Sequence, residues 1–250
     1  MITTKKLLFV ASLFFGCTIY AQNIVTDRPD QTESSSTIPK GSLQIEMGLV
    51  ALTADDNSVT NFAGSSTLLR YGISEKIELR IFNQYESNKK GLEGGEVKVS
   101  GLSDLELGFK VQLFKKEGVN TEIAFLSHAI VPTAKSELSN NNLGTINKLS
   151  ISHNMSESIS LGYNVGYDYI EQISSFTYSA ALGLSISKSF GGYIESYGAF
   201  FEGGFFESNF DIGFTYLLNP NFQLDVSYGA GLNNDMQYAS TGFSWNIPRM

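Results

Sequence analysis

Charged residues in this 250-residue chain recur at alternate positions inside apolar runs. The stretch "LLRYGISEKIELRIF" sets Arg70 against Leu69 and Tyr71, then Glu78 and Arg80 against Ile77, Leu79 and Ile81. The stretch "GLSDLELGFKVQLF" sets Asp104, Glu106, Lys110 and Gln112 against Leu105, Leu107, Phe109 and Val111. Glu46, Glu122, Asp168, Asp211 and Asp225 hold the same place in their own runs, while Glu195 in "GGYIESYGAF" fits either face. Charges spaced in this way can line a channel and select solutes. They can also pair with one another as a ladder that fills a narrow interior, because a charge taken out of water without a partner is costly. For Arg70, Glu78, Arg80, Asp104, Glu106 and Lys110 the opposite signs on neighbouring runs favour the ladder.

Catalytic chemistry has less support. The chain has two histidines, His128 and His153, and no G-x-S-x-G or H-E-x-x-H stretch. His128 follows Ser127, but a lone Ser–His neighbour pair reads as a satisfied polar residue rather than a hydrolytic site. No residue spacing suits a metal, and no glycine loop suits a phosphate. The sequence therefore predicts no enzyme and no cofactor.

The elements that position these charges have a period of two. In "SLQIEMGLVAL", Leu43, Ile45, Met47, Leu49 and Ala51 share one face, and Gln44, Glu46 and Gly48 the other. "SISLGYNVGYDY", "NFDIGFTYLL" and "NFQLDVSYGA" repeat the pattern with large aromatic residues on the apolar face. The runs are about ten to fourteen residues long, against an average of about five or six for soluble strands. About ten residues is what a tilted strand needs to cross a bilayer. The reading is an all-β, transmembrane, antiparallel up-and-down barrel with its aromatic face in lipid and its polar face inside. Leu161, Tyr163, Phe214 and Leu224 are expected to face lipid, and Asn164, Asp211 and Asp225 the interior.

Strands are expected at 42–52, 60–71, 76–86, 100–114, 120–131, 145–153, 158–170, 174–187, 190–202, 207–218, 221–231 and 236–247. That is about twelve, an even number as bacterial single-chain barrels have, with ten or fourteen left open. Short connections at Ser74–Lys76 and Asn219–Asn221 are expected on the periplasmic side. Longer ones around Lys89–Lys90 and Ser139–Asn141 are expected at the cell surface.

Ahead of the strands lies an export signal. Lys5 and Lys6 precede "LLFVASLFFG", and Ala21 offers a cleavage site, so residues 1–21 read as a signal peptide too short to span a membrane. Cys17 leaves a lipoprotein alternative open. Cleavage after Ala21 removes that single cysteine and leaves 15 basic against 25 acidic residues, a net charge near −10. The acidic balance excludes nucleic acid as a partner; outer-membrane lipid and a small solute are the expected ones.

Residues 22–41 form a polar segment ahead of a barrel at 42–250. "IVTDRPDQTESSSTIPKG" has no strand period, and Pro29 and Pro39 cannot donate to a sheet. About eight strands give an interior that side chains just fill, so a barrel of twelve has room for more. The segment carries Asp27, Arg28, Asp30 and Glu33, both signs of charge, and enters from the side where the first strand begins. It is expected to fold into the barrel mouth as a small plug, with Arg28 paired to an inner carboxylate. The alternative is a disordered tail.

"TDRPDQTESSSTIPKGSLQIEMG", "LLRYGISEKIELRI", "GLSDLELGFKVQL" and "SHNMSESISLGYNVGY" together resemble the outer-membrane transporters assigned to the meta-pathway of phenol degradation, in their Bacteroidetes form. The resemblance spans Thr26 to Trp245. It implies an outer-membrane barrel that passes small, often aromatic or apolar, molecules, and it assigns no binding residue. Two function classes follow: a channel or transporter for small solutes, or a closed structural or binding barrel whose surface loops meet a partner.

Overall fold

A computed structural model describes residues 24–54, 59–92 and 95–249. The signal-peptide and lipoprotein readings fall on residues outside these. Among the described residues the regular elements are all strands: β1 (Leu43–Ala54), β2 (Val59–Ser74), β3 (Ile77–Leu92), β4 (Gly95–Leu102), β5 (Leu105–Phe114), β6 (Thr121–Val131) and β7 (Gly144–Asn154). They continue with β8 (Ile159–Ile170), β9 (Ile173–Ser185), β10 (Phe190–Phe201), β11 (Phe206–Asn219), β12 (Phe222–Gly231) and β13 (Gln237–Ile247). No helix among the described residues is long and apolar enough to cross a membrane.

Every pairing is antiparallel, and the ring closes where β1 pairs with β13 on one side and β2 on the other. β3 pairs with β5 along Ile77–Phe82 and with β4 along Tyr85–Leu92. β4 and β5 are thus one stave interrupted at Ser103–Asp104, and the closed barrel has twelve staves. Closure through β1 and β13 pairs the staves of the ring with one another, one of the two ways a chain can satisfy its backbone in lipid, while β4 extends the wall paired to β3 alone.

The alternation sets the faces. On β12, Leu224, Val226 and Tyr228 are exposed on the outer face, whereas Asp225 and Ser227 between them are buried inside. Phe214 is exposed outward; Leu161 and Tyr163 are half-buried; Asn164 and Asp211 are buried. An exposed apolar band around a buried polar interior is the reverse of a soluble sandwich.

Two expectations need correction. The stretch around Lys89–Lys90 is strand, not loop: β3 and β4 pair out to Leu92 and Gly95. Glycines and mixed charges there conceal a hairpin whose backbone is satisfied by pairing. Asp104 is not part of the inner ladder. It lies at the β4–β5 interruption, and its carboxylate accepts from the Thr133, Ala134 and Asn140 N–H groups and the Ser139 hydroxyl, pinning the β6–β7 connection.

Candidate functional site

The segment ahead of β1 runs through the interior. It lacks an apolar period and contains two prolines, so no strand is available to it; its backbone is satisfied instead by side chains of the wall. Ile24 N–H donates to the Pro220 carbonyl at 2.8 Å, in the β11–β12 turn. Asp27 N–H donates to Glu46 at 3.0 Å, Gln31 N–H to Glu195 at 2.7 Å, and Glu33 N–H to Asn164 at 2.7 Å. Ser35 meets Ser152 at 2.5 Å, the Ser36 hydroxyl donates to Glu122, and Ile38 N–H donates to Glu78 at 2.9 Å. Gly41 N–H reaches the Gly72 carbonyl at 2.7 Å, and β1 begins. The leader therefore rises from the side of the β11–β12 turn, crosses the lumen and returns to that same side.

One part of the wall holds it by charge. Arg70 on β2, Arg80 on β3 and Lys110 on β5 are buried with Glu46 on β1 and Glu78 on β3. Arg70 meets Glu78 at 2.8 Å and Glu46 at 3.0 Å, and Arg80 meets Glu78 at 2.9 Å. That leaves three cations against two carboxylates. Asp27 of the leader balances them: its carboxylate lies 2.6 Å from Arg80, 2.9 Å from Lys110 and 3.2 Å from Arg70. Burial alone would raise the Asp27 carboxyl, but Arg70, Lys110 and Arg80 hold it well below its ordinary value. Glu33 adds a further pair with Arg80 at 2.8 Å.

Arg28 occupies a slot. Its guanidinium meets Asp225 at 2.8 Å and Ser240 at 3.1 Å, lying over Gly48 and Gly242. These glycines are directly paired across β1 and β13, and Asp225 pairs with Gly242 across β12 and β13. A Cβ on Gly48 would come within 2.1 Å of the Arg28 Nη1. Absence of a side chain at both positions is what admits the cation.

The opposite wall is acidic. Glu195 on β10 and Asp211 on β11 face each other in register, with Tyr193, Tyr197 and Tyr238 around them. Beside Gln31 N–H, the Thr32 hydroxyl donates to Glu195; Tyr238 donates to Asp211. Asp30 of the leader turns this way. Burial, then the nearby Glu195 and Asp211, lift its carboxyl well above the ordinary value.

Two cavities lie against the leader. A cavity of about 360 Å³ is lined by the apolar Val50, Leu68, Phe82, Leu126 and Ile146, together with His128 and Lys148. A second, of about 210 Å³, shares Gln31 and Lys148 with it. His128 Nε2 accepts from Arg80 at 2.9 Å while its Nδ1 meets Glu106 at 2.8 Å, so the ring is held on both sides.

Of the residues expected inside, Glu46, Arg70, Glu78, Arg80 and Lys110 converge on Asp27, Glu106 meets His128, and Asp225 meets Arg28. Asp168 accepts from the Asn147 N–H at 3.3 Å and lines the second cavity together with Gln31 of the leader. Asn164, expected inside, is buried and meets the leader at Glu33, whereas the tyrosines around Asp211 and the pairing of Gly48 with Gly242 were not singled out from the sequence. Only the glycines left a usable signal there, since Gly48 and Gly242 fall at inward positions of their strands.

The family model described as "Putative MetA-pathway of phenol degradation" matches residues 26–247. An outer-membrane channel from Pseudomonas putida F1 superposes with a TM-score of 0.66 at 12% identity, covering 85% of this chain and 98% of that one. The KdgM porin, in complex with disordered oligogalacturonate, gives 0.56 at 10% identity over 82% and 99% of the two chains. The NanC porin gives 0.53 at 9% identity over 80% and 98%. At these identities the likeness shows the fold, that of outer-membrane channels and porins. No curated protein matches the chain by sequence.

Proposed function

The chain belongs to the phenol-degradation family whose model spans its barrel, and on that premise we propose that this outer-membrane protein is a channel for small solutes with an apolar or aromatic body, with its leader as the plug. The observation that carries the reading is the cavity over the leader. Five apolar side chains, Val50, Leu68, Phe82, Leu126 and Ile146, line it from inward positions, set among charged groups such as Arg80, Glu106, His128 and Lys148, so it offers an apolar patch for a ring beside polar groups for its substituents. A space of about 360 Å³ suits one small ring compound and excludes an oligosaccharide. Glu46, Arg70, Glu78, Arg80, Lys110 and Asp225 are the wall residues that hold the plug. Asp27, Arg28 and Glu33 are its ionic contacts, and Asp30 is its approach to the acidic wall. Glu106, Asp168, His128 and Lys148 belong to the lining beyond it.

The terminal side, where leader and C-terminus lie, is the periplasmic one. The leader makes hydrogen bonds to β1, β2, β3, β5, β6, β7, β8, β9, β10, β12 and β13, which favours a second reading: a barrel that stays closed and acts through its surface connections. Planar-bilayer recording separates the two. Removing residues 24–36 gives larger or more frequent openings if the leader plugs a channel. A closed barrel shows no solute flux before or after the deletion, and swelling of proteoliposomes in a small aromatic solute reports that flux directly.

A further inference from the structure

Glu195 and Asp211 are directly opposed on neighbouring strands of the inner wall, at 4% and 1% exposure. Like charges so placed destabilise a sheet, and burial makes the repulsion worse. No described residue forms an ion pair with either. The charged and titratable groups that face the pair are Asp30 from the leader, Tyr193 and Tyr197 from β10 and Tyr238 from β13, with Glu207 of β11 beside Tyr197. None of them is a cation. Arg28, the nearest leader cation by sequence, is committed to Asp225 on β12.

The hydrogen bonds locate what is missing. Glu195 Oε2 accepts from Gln31 N–H, Glu195 Oε1 from the Thr32 hydroxyl, and Asp211 Oδ2 from the Tyr238 hydroxyl. Three of the four carboxyl oxygens thus have donors. The fourth, Asp211 Oδ1, is buried with no partner, and the buried hydroxyl of Tyr193 on the facing strand also has none. A proton on Asp211 Oδ1 removes both faults. It neutralises one of two opposed carboxylates, and it gives Oδ1 an O–H to donate to Glu195 or to the Tyr193 oxygen. The pair shares one proton, and because both Glu195 oxygens already meet the leader tip, the open position on the pair is Asp211 Oδ1.

We propose that Asp211 and Glu195 form a proton-binding site, and that its proton latches the leader tip at Gln31 and Thr32 to β10. The latching role rests on the plug reading; the proton site does not. When the proton leaves to bulk water, two opposed carboxylates remain in a site without a cation. Relief comes by admitting water, which displaces the tip. The latched form holds the extra proton, so latching is complete at low pH and lost as pH rises, by about tenfold per pH unit once the site deprotonates, the slope of a single proton.

Infrared spectra of the full-length protein in lipid vesicles test the site. A protonated-carboxyl band should be present at neutral pH, should fade as the pH is raised, and should be absent in Asp211→Asn. Hydrogen exchange in the peptide Pro29–Glu33, corrected for its intrinsic rate, tests the latch. In the parent protein the peptide should lose protection with rising pH. Asp211→Asn, whose amide supplies a permanent donor, should keep it protected throughout. Glu195→Gln, which offers an N–H to two donors, should leave it exposed at every pH. Absence of any band that Asp211→Asn removes would overturn the proton site. A band with pH-independent protection would overturn the latch. The deletion of residues 24–36 reports on the plug separately.

Discussion

The leader is held by two walls of opposite character. Across β1, β2, β3 and β5 the wall offers three cations and two carboxylates, and Asp27 completes it. Across β10 and β11 the wall offers carboxylates and tyrosines, and the leader brings hydrogen-bond donors with no positive charge. The first wall is an incomplete ion cluster that needs an anion. The second is over-supplied with anions and takes neutral donors. One segment of 15 residues from 24 to 38 satisfies both because its Asp27 and its Gln31–Thr32 pair fall on different sides of Arg28 and Pro29. A segment held inside a barrel therefore need not be complementary throughout; each stretch answers the wall it meets.

The comparison is most sharply tested at Asp27. Asp27→Ala removes the one carboxylate that meets Arg70, Arg80 and Lys110 together, leaves buried Lys110 with Glu33 alone at 3.6 Å, and should cost about 3–5 kcal/mol, measured by reversible unfolding in vesicles. A cost near zero would mean that the cationic wall does not depend on the leader. The outer face of β12 provides the next largest effect: Leu224→Arg should cost about 2–4 kcal/mol near the bilayer midplane. Its neighbour Asp225→Asn should cost about 1.5–3 kcal/mol, because it removes a charge-assisted bond to Arg28. Asp225→Asn is thus not the mild change that a merely polar lining position would give. Gly48→Ala should loosen the leader as Arg28→Ala does, read as protease sensitivity of residues 24–38, since the added Cβ occupies the guanidinium's place.

The smallest expected effect is on the acidic wall. Asp30→Asn removes one more negative charge from a region that has too many, and it should leave stability within about 0.5 kcal/mol or raise it. A large loss there would erase the distinction between the walls. Acid gives the same contrast. The Asp27 carboxyl is depressed below its ordinary 3.8, so its contribution is whole above that value and is lost as the pH falls through its lower folded value.

Period-two alternation made the faces, the ring of twelve staves and most strand ends legible in advance. Alternation is a local property, and a barrel is built from local repeats with neighbours in sequence order. Other features depend on what is brought together from a distance. The "KKGLEGGEVK" stretch reads as loop because its glycines and charges lack an apolar face, yet β3 and β4 pair along it as far as Leu92 and Gly95. Asp104 sits at an inward position of an alternating run, but the interruption at Ser103–Asp104 turns it to the β6–β7 connection. The inner charges Arg70, Glu78, Arg80 and Lys110 were readable as a group. Their excess of one cation, and its balance by Asp27, required their actual neighbours.

The slot for Arg28 has a consequence for how the molecule is made. Its floor is Gly48 from the first strand and Gly242 from the last, so half of it lies on each side of the seam where the sheet joins its own beginning. Before those strands meet, no slot exists. If they meet one residue out of step, a side chain stands where a glycine should be. Seating of Arg28 is thus available only to a ring that has closed in the right register. The guanidinium works as a clasp across the seam, fastening last and only on a correctly assembled barrel.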